Sequence, residues 1–289
     1  MGTLSASAIL LTGCSSGIGY AAAQGLRERG YRVFATARRL EDVQALAGEG
    51  FEALQLDITS SASIDAAVGE VLARTGGELY ALFNNAGYGQ PGAVEDLSRD
   101  ALREQFETNL FGLHELTCRV LPVMRRRGHG RIVHNSSLLG YVALRYRGAY
   151  NASKFALEGL TDTLRLELAG TGVRVCLIEP GPIESRFRQN ALQAFLRHDT
   201  VAGSVHAAAY RAMIARLATA GPAAPFTLPA ASIMKPLLHA LESPRPRARY
   251  RLTVPAHVFW VLKRLLPTAM LDRVLAGVSG RENRAPGGI

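Results

Sequence analysis

The sequence predicts an α/β fold: a doubly wound parallel sheet with helices on both faces and a C-terminal extension over the sheet's carboxyl edge. Three observations predict it. Short apolar runs such as "AILL" and "VRVCLIEP" show no polar alternation, as strands buried on both faces require. Helical patterns separate these runs, and repeated strand–helix–strand order implies right-handed parallel crossovers. The first run ends in a glycine-rich turn, Thr12-Gly13-Cys14-Ser15-Ser16-Gly17-Ile18-Gly19.

The elements follow in order. "AILL" is the first strand, and Gly17 to Arg29 a helix. "YRVFATA", "FEALQLD" and "LYALFN" read as strands two to four, with a helix from Ser63 to Arg74 before the fourth. Arg99 to Arg127 reads as one long helix with Pro122 as its expected break. "RIVHNSS" is the fifth strand, Tyr150 to Leu168 a helix, and "VRVCLIEP" the sixth strand. From 183 to about 232 the alternation stops, and an Ala-rich stretch with scattered Arg predicts short helices over the sheet edge. "SIMKPLLHALES" reads as a helix, "ARYRLTV" as a last strand and "HVFWVLKRLLPTAMLDRVLAG" as a hydrophobic helical tail. Residues 279–289, "SGRENRAPGGI", are expected to be disordered. Neither a repeat nor a linker interrupts the chain, so residues 1–289 are expected to form one domain, with a core over 8–182 and a covering region over 183–278.

With 289 residues, 48% of them hydrophobic and 20% charged, the chain is long and apolar enough for a substantial core. The net charge of +9 admits nucleic acid, anionic lipid or a phosphorylated ligand as partner. The arginines are spread without a basic block, which argues against nucleic acid. Three cysteines with no C-x-x-C exclude a disulfide framework and a zinc site, and the histidines lack ligand spacing, so no metal is expected. The apolar run Ala8 to Leu11 is too short for a signal peptide, and no stretch reaches the roughly 18 apolar residues of a membrane span. A cytoplasmic protein is expected.

The glycines of the first turn allow the backbone to approach a pyrophosphate, and the following helix offers free N–H groups and a positive dipole end. Their spacing, G-x-x-x-G-x-G, departs from G-x-G-x-x-G, and taken alone the turn serves equally as a plain strand–helix connection. A second feature lies in "AYNASKFALEG". Only three of the 33 basic residues are lysines, Lys154, Lys235 and Lys263, and Lys154 stands four positions after Tyr150. On a helix those two side chains share a face. A phenol with a pKa near 10 is eased toward phenolate by a nearby ammonium, and such a phenol exchanges a proton with a substrate oxygen. An exposed helical pair of no consequence has the same spacing. Ser137 precedes Tyr150 by 13 residues at the end of the fifth strand, where the carboxyl ends of parallel strands form a ligand crevice. Ser136 beside it points to the opposite face.

These motifs, together with Asn84-Asn85-Ala86-Gly87, Asn109 and Pro180-Gly181, resemble the short-chain dehydrogenase/reductase family in order and spacing from about residue 8 to 190. The resemblance implies a Rossmann-like dinucleotide fold and a catalytic group of Asn109, Ser137, Tyr150 and Lys154. In it Tyr150 is the acid/base, Ser137 orients the carbonyl, and Asn109 holds a water linking Lys154 to solvent. It implies cofactor contacts from Gly13, Ser15, Ser16, Gly17, Ile18, Gly19, Arg38, Arg39, Asp57, Ile58, Asn84, Ala86, Gly87, Tyr150, Lys154, Pro180, Gly181 and Ile183. The family distinguishes NAD from NADP at the end of strand two. There Ala37 stands where an acid would repel a 2′-phosphate, and Arg38 follows with Arg39, so NADP is the expected cofactor.

The implied reaction is NADP(H)-dependent interconversion of a hydrophobic aldehyde or ketone with its alcohol, in a pocket of Leu138, Leu139, Tyr141, Val142, Tyr146 and the segment after Ile183. The likeness extends to bacterial aldehyde reductases and to hydroxysteroid and retinol dehydrogenases, which leaves a membrane-associated enzyme of the latter kind as the alternative. A non-catalytic NADP-binding sensor is the other, although such a protein is expected to have lost Tyr150 or Lys154. Homo-oligomerisation on the two long helices is implied as well. The hydrophobic tail reads either as a packed helix or as an amphipathic one lying on a membrane, with Lys263 and Arg264 at the headgroups.

Overall fold

The computed structural model describes residues 7–198, 203–219, 221 and 224–282. Seven strands form one parallel sheet: β1 (Ala8–Leu11), β2 (Arg32–Ala37), β3 (Glu52–Gln55), β4 (Ala81–Asn84), β5 (Gly130–Asn135), β6 (Val173–Pro180) and β7 (Arg249–Leu252). Their order is β3-β2-β1-β4-β5-β6-β7, and every pairing is parallel. The chain winds outward from β1 through β2 to β3, then crosses back to β4 on the other side of β1. That reversal opens a crevice at the carboxyl ends of β1 and β4.

Strand alternation assigns the two cores. On β1, Ile9 and Leu11 face one side with Val33, Phe83 and Ile178, and meet Ala22 and Leu26 of helix α1 (Gly17–Glu28) and Leu237 of α9 (Met234–Glu242). Leu10 faces the other side with Phe34, Leu82 and Ile132. It meets Ile64 and Val68 of α3 (Ser61–Arg74) and Leu116 and Val120 of α5 (Gly112–Arg127). Both faces are covered, which is why the strands read as unbroken apolar runs. Helix α2 (Leu40–Gly48), between β2 and β3, buries Leu46 alone among its nine residues, so its sequence carries a faint helical stripe and was not anticipated.

The region expected as one helix over 99–127 is α4 (Arg99–Phe106), a π-helical turn (Glu107–Phe111) and α5. The irregularity lies at 107–111 and not at Pro122. Pro122 is exposed within α5, so the carbonyl that its ring leaves unbonded faces water. The π turn coincides with Asn109, which is fully buried and turned inward. Helix α6 (Gly148–Glu167) carries Tyr150 and Lys154.

Beyond β6 the chain builds two walls above the sheet edge. Helices α7 (Phe187–Arg197) and α8 (Ala207–Ala218) pack through Phe195, Tyr210 and Met213, and the Tyr210 hydroxyl accepts from the Ala93 N–H at 3.0 Å. Opposite them, α10 (Val254–Leu265) and α11 (Thr268–Glu282) lay Ala256 and Leu275 against Leu138, Leu139 and Leu144. The hydrophobic tail is thus two helices that part before Pro267. The expected disorder over 279–289 is corrected for its first four residues, because α11 continues through Glu282. Residues 283–289 lie outside the described residues. Among the described residues no helix is long and apolar enough to cross a membrane, and no group of His, Cys, Asp and Glu is placed to hold a metal ion.

Gly112 is where α5 meets the loop after β3. A methyl group there would stand 1.8 Å from the Ile58 carbonyl oxygen. Gly112→Ala is therefore expected to cost about 2–3 kcal/mol, read as a lowered denaturant midpoint. Gly69→Ala, on the exposed side of α3 with nothing within 4 Å, is expected to gain about 0.5–1 kcal/mol.

Candidate active site

The cavity at the carboxyl edge has a volume of ≈ 1620 Å³ and runs from the first turn to the walls built by α7, α8, α10 and α11. At its floor β1 and β4 are clasped. Thr12 Oγ1 accepts from the N–H groups of Asn85 (2.9 Å) and Ala86 (2.8 Å), while the Asn85 amide donates to the carbonyls of Thr12 (3.0 Å) and Gly13 (3.1 Å). Gly13 and Gly17 hold positive φ, 70° and 57°, and a side chain on Gly19 would stand 2.1 Å from the Gly13 carbonyl oxygen. These three positions bring α1 end-on to the cavity. Its N-cap, Ser16, makes no side-chain capping bond and its first turn carries no acid, so positive helix-end character faces the space lined by Ser15, Ser16 and Ile18.

Arg38 and Arg39 are exposed on the same cavity wall just after β2. Gln55 Nε2 donates to the Arg38 carbonyl at 3.0 Å, and Arg39 pairs with Glu41 at 3.1 Å. Asp57 and Ile58 line the wall beyond β3. The Asp57 Oδ1 accepts from the Thr59 N–H (2.9 Å) and hydroxyl (2.8 Å). Ala86 and Gly87 follow β4, Pro180 ends β6, and Gly181 and Ile183 follow it.

Two expected site residues lie elsewhere. Asn84 turns behind the sheet, where its amide bonds Thr117 Oγ1 at 3.0 Å and approaches His134 Nδ1 at 3.2 Å. Strand alternation gives the cavity to Asn85 instead. Asn109 is also absent from the wall. Its Oδ1 accepts from the Tyr88 N–H (3.1 Å), and its Nδ2 donates to the Tyr88 carbonyl (2.9 Å) and Ser153 Oγ (3.2 Å). The Asn109 side chain thus fixes the loop after β4. Gly17 and Gly19 shape the turn without lining the cavity.

Ser137, Tyr150 and Lys154 do come together there. Ser137 is extended, with φ −165°, and its Oγ accepts from the Leu139 N–H at 3.1 Å and hydrogen-bonds the Tyr150 phenol. Ser136 points away and donates to Glu158 Oε1 at 2.5 Å, as alternation requires. Lys154 Nζ donates to the Asn135 carbonyl at 2.7 Å and stands 5.7 Å from the centre of the Tyr150 ring.

The electrostatics differ from the expectation of a phenol eased toward neutrality by its lysine. Burial pushes the Tyr150 phenol up to about 12, opposed by the Ser137 hydrogen bond and the Arg147 charge. Burial also pulls the Lys154 ammonium down to about 8, opposed by Glu158. Desolvation exceeds the Coulomb gain because both groups lie beneath the apolar walls. Under neutral conditions the arrangement therefore holds a protonated phenol beside a charged ammonium. Phe187, at the start of α7, closes over the phenol with its ring 5.3 Å from that of Tyr150 and tilted by 66°. Of the residues that sequence reasoning missed, Asn85 was signalled by its place in Asn84-Asn85-Ala86-Gly87, whereas Phe187 carried no signal in the sequence.

A raised phenol has a direct readout. The difference between wild-type and Tyr150→Phe phenolate absorbance is expected to show no ionisation step below about pH 11, since Tyr150 is held up to about 12.

Comparison with known proteins agrees with this architecture. The short chain dehydrogenase sequence family matches residues 7–194. The uncharacterized oxidoreductase YbbO of Escherichia coli is 41% identical over 269 residues, covering 93% of this chain and 94% of its own. Human retinol dehydrogenase 8 is 40% identical over 194 residues, covering 64% of this chain and 61% of its own. The crystal structure of an actinorhodin polyketide ketoreductase with NADPH superposes with a TM-score of 0.71 at 30% identity, covering 88% of this chain and 97% of that one. The switch-point crevice, the glycine turn and these similarities lead to one conclusion: the chain belongs to the short-chain dehydrogenase/reductase family of oxidoreductases.

Proposed function

We propose that this protein reduces a hydrophobic aldehyde or ketone with NADPH, Tyr150 acting as the proton donor. The observation that carries the reading is the Tyr150 phenol, hydrogen-bonded to Ser137 and un-ionised at neutrality, at the meeting point of a dinucleotide-shaped turn and an apolar chamber. An un-ionised phenol carries the proton that the reductive direction requires. Ser137 orients the carbonyl oxygen toward the phenol. Lys154 lends positive charge to the phenolate that remains after the proton has left.

The residues present fit a dinucleotide. Gly19 lets the start of α1 close against the Gly13 carbonyl, the α1 N-terminus is uncapped, and Arg38 and Arg39 stand at the end of β2 with no acid at Ala37. Ser15, Ser16, Ile18, Asp57, Ala86, Gly181 and Ile183 complete the binding wall, and the bound cofactor supplies the hydride. The NADPH in the ketoreductase crystal supports the choice of NADP, as does the planar donor fork of Arg38. The chamber beyond is lined by Leu138, Leu139, Leu144, Met213, Leu217 and Phe259. Its character suits an apolar carbonyl, the chemistry that the name of human retinol dehydrogenase 8 also carries.

The tail helices favour contact with an anionic lipid surface. On α10, Val254, Val258, Val261 and Leu265 are 51%, 46%, 42% and 73% exposed and fall on one face, with Met270 and Val274 exposed on α11. Val254 and Val258 also line the cavity. The exposed cations Lys263, Arg264 and Arg273 lie on the same two helices, against the single carboxylate of Asp272 among their described side chains. A homo-oligomer is assigned to α5, α6 and the turn before α5, where Phe111, Phe155 and Leu160 are exposed.

Three measurements test these readings. Tyr150→Phe is expected to lower turnover of medium-chain aldehydes at least about 100-fold while the NADPH Kd stays within about threefold. Near-normal turnover would overturn the assignment. Arg38→Ala is expected to weaken NADPH binding about 10- to 100-fold and leave NADH unchanged, as fluorescence titration reads. Val261→Glu combined with Leu265→Glu is expected to abolish co-flotation with phosphatidylglycerol vesicles, and wild-type protein that fails to float would remove the membrane contact.

A further inference from the structure

Lys154 raises a question that the reaction itself does not answer. Its side chain is only 5% exposed, and a buried ammonium is costly unless other charges compensate it. Its hydrogen bond to the Asn135 carbonyl is neutral at the acceptor. One helical turn further along α6 stands Glu158, 7% exposed, on the same face as Lys154. Neither oxygen of that carboxylate is idle. Oε1 accepts from the Ser136 hydroxyl at 2.5 Å, and Oε2 pairs with Arg249 Nε of β7 at 3.0 Å.

The pair opens into a buried charge cluster. Arg249 also meets Asp162 on α6 at 2.7 Å and Glu179 on β6 at 3.0 Å, and Glu179 meets Arg251 at 3.3 Å. Glu179 is 1% exposed, and Arg251 lies 4.0 Å over the Trp260 ring of α10. Three carboxylates, Glu158, Asp162 and Glu179, thus face three guanidinium groups, Arg249, Arg251 and, on the outer side of Asp162, Arg165 at 2.5 Å. The other titratable groups around Lys154 are His134 on β5, Tyr150 on α6, Tyr141 after β5 and Lys263 on α10. His134 is held neutral, since burial, followed by the Lys154 charge, pulls it to about 3. Lys263 reaches the cluster from the exposed side, bonded to the Tyr141 carbonyl.

We propose that Glu158 is a positioning residue for the reaction, whose anchored carboxylate keeps the Lys154 ammonium charged and ties that charge through β7 to the helices that cover the substrate. The proposal rests on the reading of Lys154 given above. Glu158 touches neither cofactor nor substrate and acts only through Lys154. Ser136, the serine not turned toward the cavity, acquires a purpose as its anchor. Burial lowers Lys154, and Glu158 opposes that shift. Removal of the Glu158 charge therefore moves loss of the ammonium to lower pH.

Three lysines make the measurement direct. In protein labelled with [13Cε]lysine, Lys235→Arg and Lys263→Arg assign the remaining signal to Lys154, and its titration gives the midpoint without any assay of turnover. In Glu158→Gln, which keeps an acceptor for Ser136, the midpoint is expected to fall by about one pH unit from its wild-type value. Ser136→Ala keeps the charge and is expected to leave the midpoint in place. Glu179→Gln, further along the cluster, is expected to lower it by less, and it serves if Glu158→Gln does not fold. Turnover in Glu158→Gln is expected to drop about fivefold at pH 8 and to match wild type near pH 6, the change that a one-unit shift produces. A Lys154 midpoint unmoved by Glu158→Gln, or moved as far by Ser136→Ala, overturns the proposal. Wild-type protein without turnover overturns the proposed function, while the titration still decides the role of Glu158.

Discussion

The clasp between Thr12 and Asn85 is the constraint on which the rest of the site depends. Four hydrogen bonds join β1 to the segment after β4 beyond the last ladder pair, Leu11 with Phe83. They lie where the sheet reverses its winding direction, the one place where the crossover helices diverge and leave the strand ends open. Because the clasp uses the side chain and the backbone of both residues, the turn through Gly13 cannot slide relative to β4. The end of α1, the Ser137–Tyr150 pair and the Arg38 wall are then fixed around one cavity.

Within that cavity burial outweighs charge. Apolar walls strip water from Tyr150 and Lys154, which raises the phenol and lowers the ammonium. The two shifts have different consequences for catalysis. In the proposed reaction a high phenol stores its proton well, and positive charge close by is needed when that proton leaves. A lowered ammonium threatens that charge. The carboxylates behind α6 offset the loss, and the cost is a buried ionic cluster whose Glu179 is itself pushed up to about 7, first by burial and then by Glu158.

The C-terminal third contributes differently. It adds one strand, β7, to the sheet edge and uses it to place Arg249 and Arg251 beneath the catalytic helix. Helices α7, α8, α10 and α11 add mainly shape, and their contacts with the core run through a few large side chains such as Phe195, Tyr210 and Leu275.

The sequence by itself determined the sheet and its winding, because doubly buried strands leave a periodic record in the residues, while Ser137, Tyr150 and Lys154 stood out by their resemblance to the family's motifs. Strand alternation sent Ser136 and Ser137 to opposite faces, and the family spacing selected Ser137. Tertiary structure decided what depends on distance in space. It turned Asn84 behind the sheet and spent the Asn109 amide on the backbone of Tyr88, two outcomes that hinge on which neighbours a fold brings close. It placed the irregularity of the long helix at 107–111, where a buried amide competes for backbone partners, and left an exposed proline in regular helix. It reversed the sense of the Tyr150 shift, because desolvation is a property of the walls and not of the residue four places away. The partners of Glu158, Ser136 just after β5 and Arg249 on β7, are 22 and 91 residues distant along the chain, and only folding brings them together.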